Sequence, residues 1–138
     1  RYTVRMSVIR RQYQIFIDRP PQAVFDFFTN LRNYNRILPD DQQILNEAET
    51  VLRESGTLRW KWKQGGLWRT IEAEITEWNP PTGFCEKQVS GPFASYSHRH
   101  KFTEFQTGTL VADTIEYTLP GGPVGLLMEK VALGTRLD

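Results

Sequence analysis

The segment GPFASYSHRHKFTEFQTGTLVADTIEYTLP, from Gly91 to Pro120, constrains the fold more than any other part of this chain. It reads as two strands joined by a tight turn at Gln106-Thr107-Gly108. Side chains on a strand alternate between faces. In the first strand Tyr96, His98, His100 and Phe102 share one face, and Ser95, Ser97, Arg99, Lys101 and Thr103 share the other. In the second strand Val111, Asp113, Ile115, Tyr117 and Leu119 form the apolar face, while Thr114, Glu116 and Thr118 point away. Pairing Phe105 with Gly108 sets His100 opposite Asp113, His98 opposite Ile115 and Tyr96 opposite Tyr117. A slip of one residue would turn one apolar face to water, so only registers of this parity are allowed. Shifts of two keep His100 and Asp113 adjacent or diagonal.

The inner face of this hairpin is apolar, yet it carries two histidines and an acid. Polar groups out of water need partners. A sheet whose buried face holds ordered polar groups commonly lines a cavity. The expected arrangement is a hydrogen-bonded interior set, His100 with Asp113 and His98 with Glu86 from the preceding strand. Two alternatives stay open: hydrogen bonding to a ligand, and a metal or catalytic role. Histidines two apart on a strand do face one side, as shared ligation needs.

The rest of the chain supplies a sheet around this hairpin. Ser7 to Ile17 reads as a first strand. Pro20-Pro21 suits the first turn of a helix, where a missing N–H costs little. Val24, Phe25, Phe28 and Leu31 then form a stripe at helical spacing, and Asn30 to Leu38 reads as a second short helix ending at Pro39. Gln43 to Gly56 is expected to be a strand of weak alternation. In the next strand Leu58, Trp60 and Trp62 face inward, and Arg59, Lys61 and Lys63 outward, with Glu72 and Glu74 next door to balance them. After the Gly65-Gly66 turn, Arg69, Ile71, Ala73 and Ile75 oppose Thr70, Glu72, Glu74 and Thr76. Asn79 to Gly83 is a turn. Phe84 to Val89 is a strand whose inner face holds Phe84, Glu86 and Gln88. A final helix is expected after Gly122, with Val124, Leu127, Met128 and Val131 at helical spacing. Consecutive strands on short turns imply antiparallel pairing, so the class is α+β with one helix left to cover a curved sheet.

Composition excludes several function classes. At 138 residues the length is that of one domain, long enough for a real core. Lys and Arg number 17 against 16 Asp and Glu, which leaves no field for nucleic acid or an anionic membrane. Cys85 is the only cysteine. It can form no internal disulfide or zinc cluster, and alternation puts it on the outward face. No secretory core or apolar run of membrane-spanning length is visible, so the expected location is cytoplasmic, without membrane insertion. No phosphate-binding glycine loop, nucleophile elbow or zinc signature is present, and no cofactor is expected.

The stretches RPPQAVFDFFTNLRNYNRILP, ITEWNPPTGF, GPFASYSHRHKF and GTLVADTIEYTLPGGPVG, in this order, resemble the START-like (SRPBCC, polyketide-cyclase-like) superfamily. The nearest likeness is to its small bacterial ligand-binding members, grouped with coenzyme-Q-binding START proteins. The resemblance covers nearly all of residues 1–138, as a single domain. It implies a helix-grip fold: a seven-stranded sheet wrapped around a C-terminal helix, with a deep apolar cavity between them. Residues after Gly122 allow about 24 Å of helix at most, shorter than the family's, so an open cavity end or a neighbouring copy covering it is expected. The ligands implied are lipid-like, isoprenoid or polyketide, with the protein as carrier or sensor. A cyclase or dehydratase using His98 or His100 as base with Tyr96 or Tyr117 as donor is the alternative, and a protein-partner module a further one. Fold does not choose among them. The cavity residues expected are Trp60, Trp62, Arg69, Ile71, Ala73, Ile75, Phe84, Glu86, Gln88, Tyr96, His98, His100, Phe102, Asp113, Ile115 and Tyr117. Arg69 either holds an anionic head group at the cavity mouth or extends into solvent.

Overall fold

A computed structural model describes residues 8–121. Seven strands form one antiparallel sheet in the order β1-β7-β6-β5-β4-β3-β2. They are β1 Val8–Ile17, β2 Gln42–Ile44, β3 Thr57–Gln64, β4 Leu67–Asn79, β5 Gly83–Ser90, β6 Ser95–Phe105 and β7 Gly108–Thr118. The crossover from β1 to β2 carries α1 Pro21–Thr29 and α2 Leu31–Ile37. The final helix expected from Val124, Leu127, Met128 and Val131 lies outside the described residues.

The β6–β7 register is the one the turn and the apolar faces require: His100 pairs with Asp113, His98 with Ile115 and Tyr96 with Tyr117. Alternation also holds in β4, where Ile71, Ala73 and Ile75 are buried and Glu72 and Glu74 exposed. Two irregularities interrupt the β4–β5 ladder, at Glu72/Ala73 and between Thr76 and Asn79. Such bulges increase local twist and bend the sheet, giving it a concave face.

Helices α1 and α2 close one end of that face. Pro21 opens α1 at a position whose N–H needs no partner. Val24, Phe25 and Leu31 are buried in a cluster with Ile75, Phe84, Phe102 and Val111. The Phe25 ring meets Trp78, Phe84 and Phe102 edge-on at 5.2, 6.1 and 5.8 Å, a favoured aromatic geometry.

The segment Gln43 to Gly56 differs from the expected strand. Only Gln42–Ile44 pairs with β3, and Glu47–Glu49 forms a 3-10 turn. Asn35 holds the Ile44 backbone from the free side of β2, and Asn46 takes backbone groups of β3 that a longer ladder would have used. Asn35 of α2 donates to the Ile44 carbonyl (3.1 Å) and accepts from the Ile44 N–H (2.7 Å). Asn46 donates to the Thr57 carbonyl (2.7 Å) and accepts from the Arg59 N–H (3.0 Å).

Cys85 lies on the outward side of β5, where alternation put it, paired with Thr76 and Arg99, and it is buried there. Its neighbour Arg99 is tied to Glu77 by a 2.8 Å ion pair. Burial pushes the Cys85 thiol pKa up, the environment of an inert rather than a reactive cysteine.

Candidate functional site: a histidine–carboxylate quartet beside an aromatic wall

Adjacent strands β5, β6 and β7 bring Glu86, His98, His100 and Asp113 together on the concave face. His100 lies between the two acids. Its Nε2 is 2.9 Å from Glu86 Oε1 and its Nδ1 is 2.9 Å from Asp113 Oδ1. His98 Nε2 is 3.2 Å from Asp113 Oδ1, while its Nδ1 is 4.0 Å from Glu86 Oε2. The expected His100–Asp113 contact is present. The expected His98–Glu86 bond gives way to a diagonal: Glu86 stands opposite His98 but bonds to His100, and His98 bonds to Asp113. Ring stacking accounts for this choice. His98 and His100 stack at 3.9 Å and 26°, and His100 stacks in turn on Phe84 at 4.5 Å and 23°. In that stack His98 turns to the diagonal Asp113, while His100 spans its direct partner Asp113 and the diagonal Glu86.

β5 and β6 approach closely here because residue 83 is glycine. A Cβ at Gly83 would run into the His100 carbonyl oxygen. The site is largely dry, with the Glu86 and His100 side chains nearly fully buried and those of His98 and Asp113 partly open. Burial alone would disfavour a charged His100, but the two carboxylates at its nitrogens outweigh it and push the pKa up to about 9. Burial likewise works against the charge on Asp113 and Glu86. The histidine hydrogen bonds and charges prevail, holding Asp113 well below the usual carboxylate range and lowering Glu86. At neutral pH the core of the quartet is therefore an imidazolium clasped by two carboxylates.

Donor atoms of Glu86, His98 and His100 all lie within 4.8 Å of one another, close enough to share a divalent ion. Two nearly parallel imidazoles do not aim their in-plane lone pairs at a common point, however, and both His100 nitrogens already face carboxylates. The arrangement holds protons as it stands.

Next to the quartet lies an aromatic wall. Trp62 stacks on Phe93 at 5.7 Å and 7°, and Phe93 on Tyr96 at 5.4 Å and 24°. Trp60 packs on Trp62 at 4.8 Å, and Tyr117 on Phe93 at 5.1 Å. Gln88 braces this wall by donating to the Phe93 carbonyl (2.8 Å) and accepting its N–H (3.3 Å). Ile71 is buried in the same cluster, with Ile115 packed against it, and Ala73 is fully buried beside it in β4. Ile75, Phe84 and Phe102, the other apolar residues of the expected lining, are buried in the cluster that includes Phe25. Arg69 pairs with Trp62 near the outer end of β3–β4.

Sequence reasoning missed Tyr34. Its hydroxyl, on α2, is buried with no hydrogen-bond partner among the described residues. Burial, reinforced by the negative charges of Glu86 and Asp113, raises its pKa well above the ordinary phenol value, and Tyr96 is raised likewise. Both remain neutral donors. The available signal was Leu31 and Tyr34 three apart on a helix, which puts both on one face.

A surface pocket of about 350 Å³ lies elsewhere, lined by Glu49, Val51, Leu52, Arg53, Gly56 and Thr57. The cavity expected between sheet and final helix has one wall outside the described residues. Among those residues no helix is long and apolar enough to cross a membrane.

Residues 17–137 match the family model described as polyketide cyclase / dehydrase and lipid transport. The chain belongs to this family. Among curated proteins none matches. Among solved structures it is similar to the Zhui aromatase/cyclase of Streptomyces sp. R1128, with TM-score 0.69, 14% identity, and 93% of this chain and 86% of the other covered. It is also similar to TTHA0849 of Thermus thermophilus, with TM-score 0.65, 20% identity and coverage of 91% and 85%. A third likeness is to the di-domain ARO/CYC BexL, from the BE-7585A biosynthetic pathway, with TM-score 0.65 and 20% identity. There 92% of this chain is matched, but it spans only 45% of that protein. At these identities the structures establish the shared helix-grip-like α+β fold. It is the START-like fold that the sequence motifs implied.

Proposed function

We propose that this protein binds a hydrophobic small molecule, of lipid, isoprenoid or polyketide-like character, against the concave face of its sheet, as a carrier or sensor. The observation that carries this reading is the state of the polar groups there. Glu86, His100, Asp113 and His98 satisfy one another, and Gln88 is spent on the Phe93 backbone, so an apolar ligand can lie on the aromatic wall without stripping a polar group of its partner. The family description, which includes lipid transport, agrees with it. Native mass spectrometry of protein purified from its own organism tests it: a retained apolar molecule, lost when Trp62 is replaced by Ala, is expected. A clean apo mass together with no quenching of tryptophan emission by any apolar probe would refute it.

A second reading, a cyclase or dehydratase, is favoured by one observation: the Tyr34 hydroxyl, buried and without a partner among the described residues, within the field of Glu86 and Asp113. There His98 would accept a proton and Tyr34 or Tyr96 would hydrogen-bond a substrate oxygen. Turnover of a polyketide-like substrate that is abolished by His98→Gln while stability is retained would put this reading first.

A further inference from the structure

The inner face has a second polar site, remote from the quartet and unlike it in being unsatisfied. Arg69 is half-buried, and its Nε is shut off from solvent without an acceptor among the described residues. The ion pairs among the described residues engage Arg10, Arg99 and the two histidines, none of them Arg69. Its near neighbours on β4, Glu72 and Glu74, are exposed on the opposite face. An arginine that merely extends to the surface keeps its whole guanidinium in water. Here one N–H has lost water and gained nothing, an uncompensated cost. Gln64 stands diagonal to Arg69 across the β3–β4 ladder, and its Oε1 is likewise buried and unpartnered. Turning that amide by half a rotation presents its NH2 instead. The pair then offers an edge of guanidinium and an amide donor to one acceptor group. Trp62, directly opposite Arg69, begins the aromatic wall that runs through Phe93 to Tyr96.

We propose that Arg69, with Gln64, binds the carboxylate or phosphate head of an anionic amphiphile whose apolar body lies along Trp62, Phe93 and Tyr96. The Nε and one Nη of a guanidinium match two oxygens of such a head in fork geometry. Polarity of the face sets the direction of binding. Ile75, which pairs with Glu86, lies six positions along β4 from Arg69, so the acidic quartet stands about 20 Å away. Its carboxylates repel a second anionic end, and the ligand enters with its tail toward them. This inference rests on the carrier reading and names the ligand class for it.

Quenching of tryptophan emission at neutral pH, with dodecanoic acid, dodecyl phosphate and dodecanol as probes, tests it. Wild-type protein is expected to bind both anions about tenfold or more tighter than the alcohol, the range of a charge-assisted hydrogen bond. Arg69→Gln brings the anions to the level of the alcohol and leaves dodecanol within about twofold. Arg69→Lys keeps part of the preference, since the charge remains and the fork is lost. Melting curves establish that both variants fold. Equal binding of acid and alcohol by wild type, or an equal loss of both in Arg69→Gln, overturns the inference and leaves the carrier reading standing. Failure of all three probes overturns both. Acetate or inorganic phosphate binding as tightly as the long-chain anions would mark a free-anion site and overturn the amphiphile.

Discussion

Replacement of His100 by Ala tests the electrostatic account of the quartet most severely. The substitution removes the ring that hydrogen-bonds both carboxylates, at 2.9 Å each. It also deletes the ring between Phe84 and His98. Leaving a hydrogen-bond acceptor unpaired costs about 1–3 kcal/mol, but breaking a buried ion pair costs about 3–5 kcal/mol, because a charge remains without compensation. Glu86 is 3% exposed, so the larger range applies to His100→Ala. His100→Gln can still donate to one carboxylate and is expected to cost about 1–3 kcal/mol. Urea unfolding followed by tryptophan fluorescence measures both. The pH dependence supplies a second readout. A folded pKa raised to about 9, against about 6.5 in the unfolded chain, means that the stabilisation is complete below pH about 6.5. It is lost progressively as pH rises through about 9, amounting to about 3 kcal/mol. The depressed pKa values of Glu86 and Asp113 act in the opposite sense. Their contribution is present above the ordinary carboxylate range and lost as pH falls below about 4. Wild type should therefore lose stability on both sides of neutrality, and His100→Ala should lack the alkaline loss. A cost for His100→Ala under about 1 kcal/mol, or equal alkaline slopes in the two proteins, would refute the clasped imidazolium.

Three other outcomes follow from the packing. Phe25→Ala removes the ring that α1 inserts among Trp78, Phe84 and Phe102 and should cost about 3–5 kcal/mol in chemical denaturation; a loss below about 1 kcal/mol would mean that α1 does not plug the sheet. Tyr34→Phe deletes a buried hydroxyl without a partner, so the melting temperature of the ligand-free protein should hold or rise, with a gain of up to about 1 kcal/mol; a clear fall would show that the hydroxyl is engaged after all. Cys85 should react with a thiol reagent only on the timescale of unfolding, because the thiol is buried and its pKa raised; stoichiometric labelling within seconds of mixing would contradict that environment.

Much of the framework was legible in the residues. The β6–β7 register follows from the turn at Gln106 to Gly108 and from two apolar faces that must point the same way, because a one-residue slip buries the wrong half of each strand. The same period-two logic placed Glu86, His98, His100 and Asp113 on one face, and it separated Ile71, Ala73 and Ile75 from Glu72 and Glu74. It ended at the backbone. Which carboxylate each histidine takes depends on rotamers selected by the stack of Phe84, His100 and His98, and a direct and a diagonal partner lie at comparable reach on a sheet. The ladder expected from Gln43 to Gly56 stops after Ile44, where the Asn46 side chain takes the Thr57 carbonyl and the Arg59 N–H of β3. Cys85 is buried by its neighbours across the sheet, which alternation does not describe. Tyr34 comes under the field of the carboxylates, and Arg69 stands without one among the described residues, only through the way the helices and the strands dock. Strand alternation is a local property of the chain, whereas partner choice among side chains is settled by packing in three dimensions.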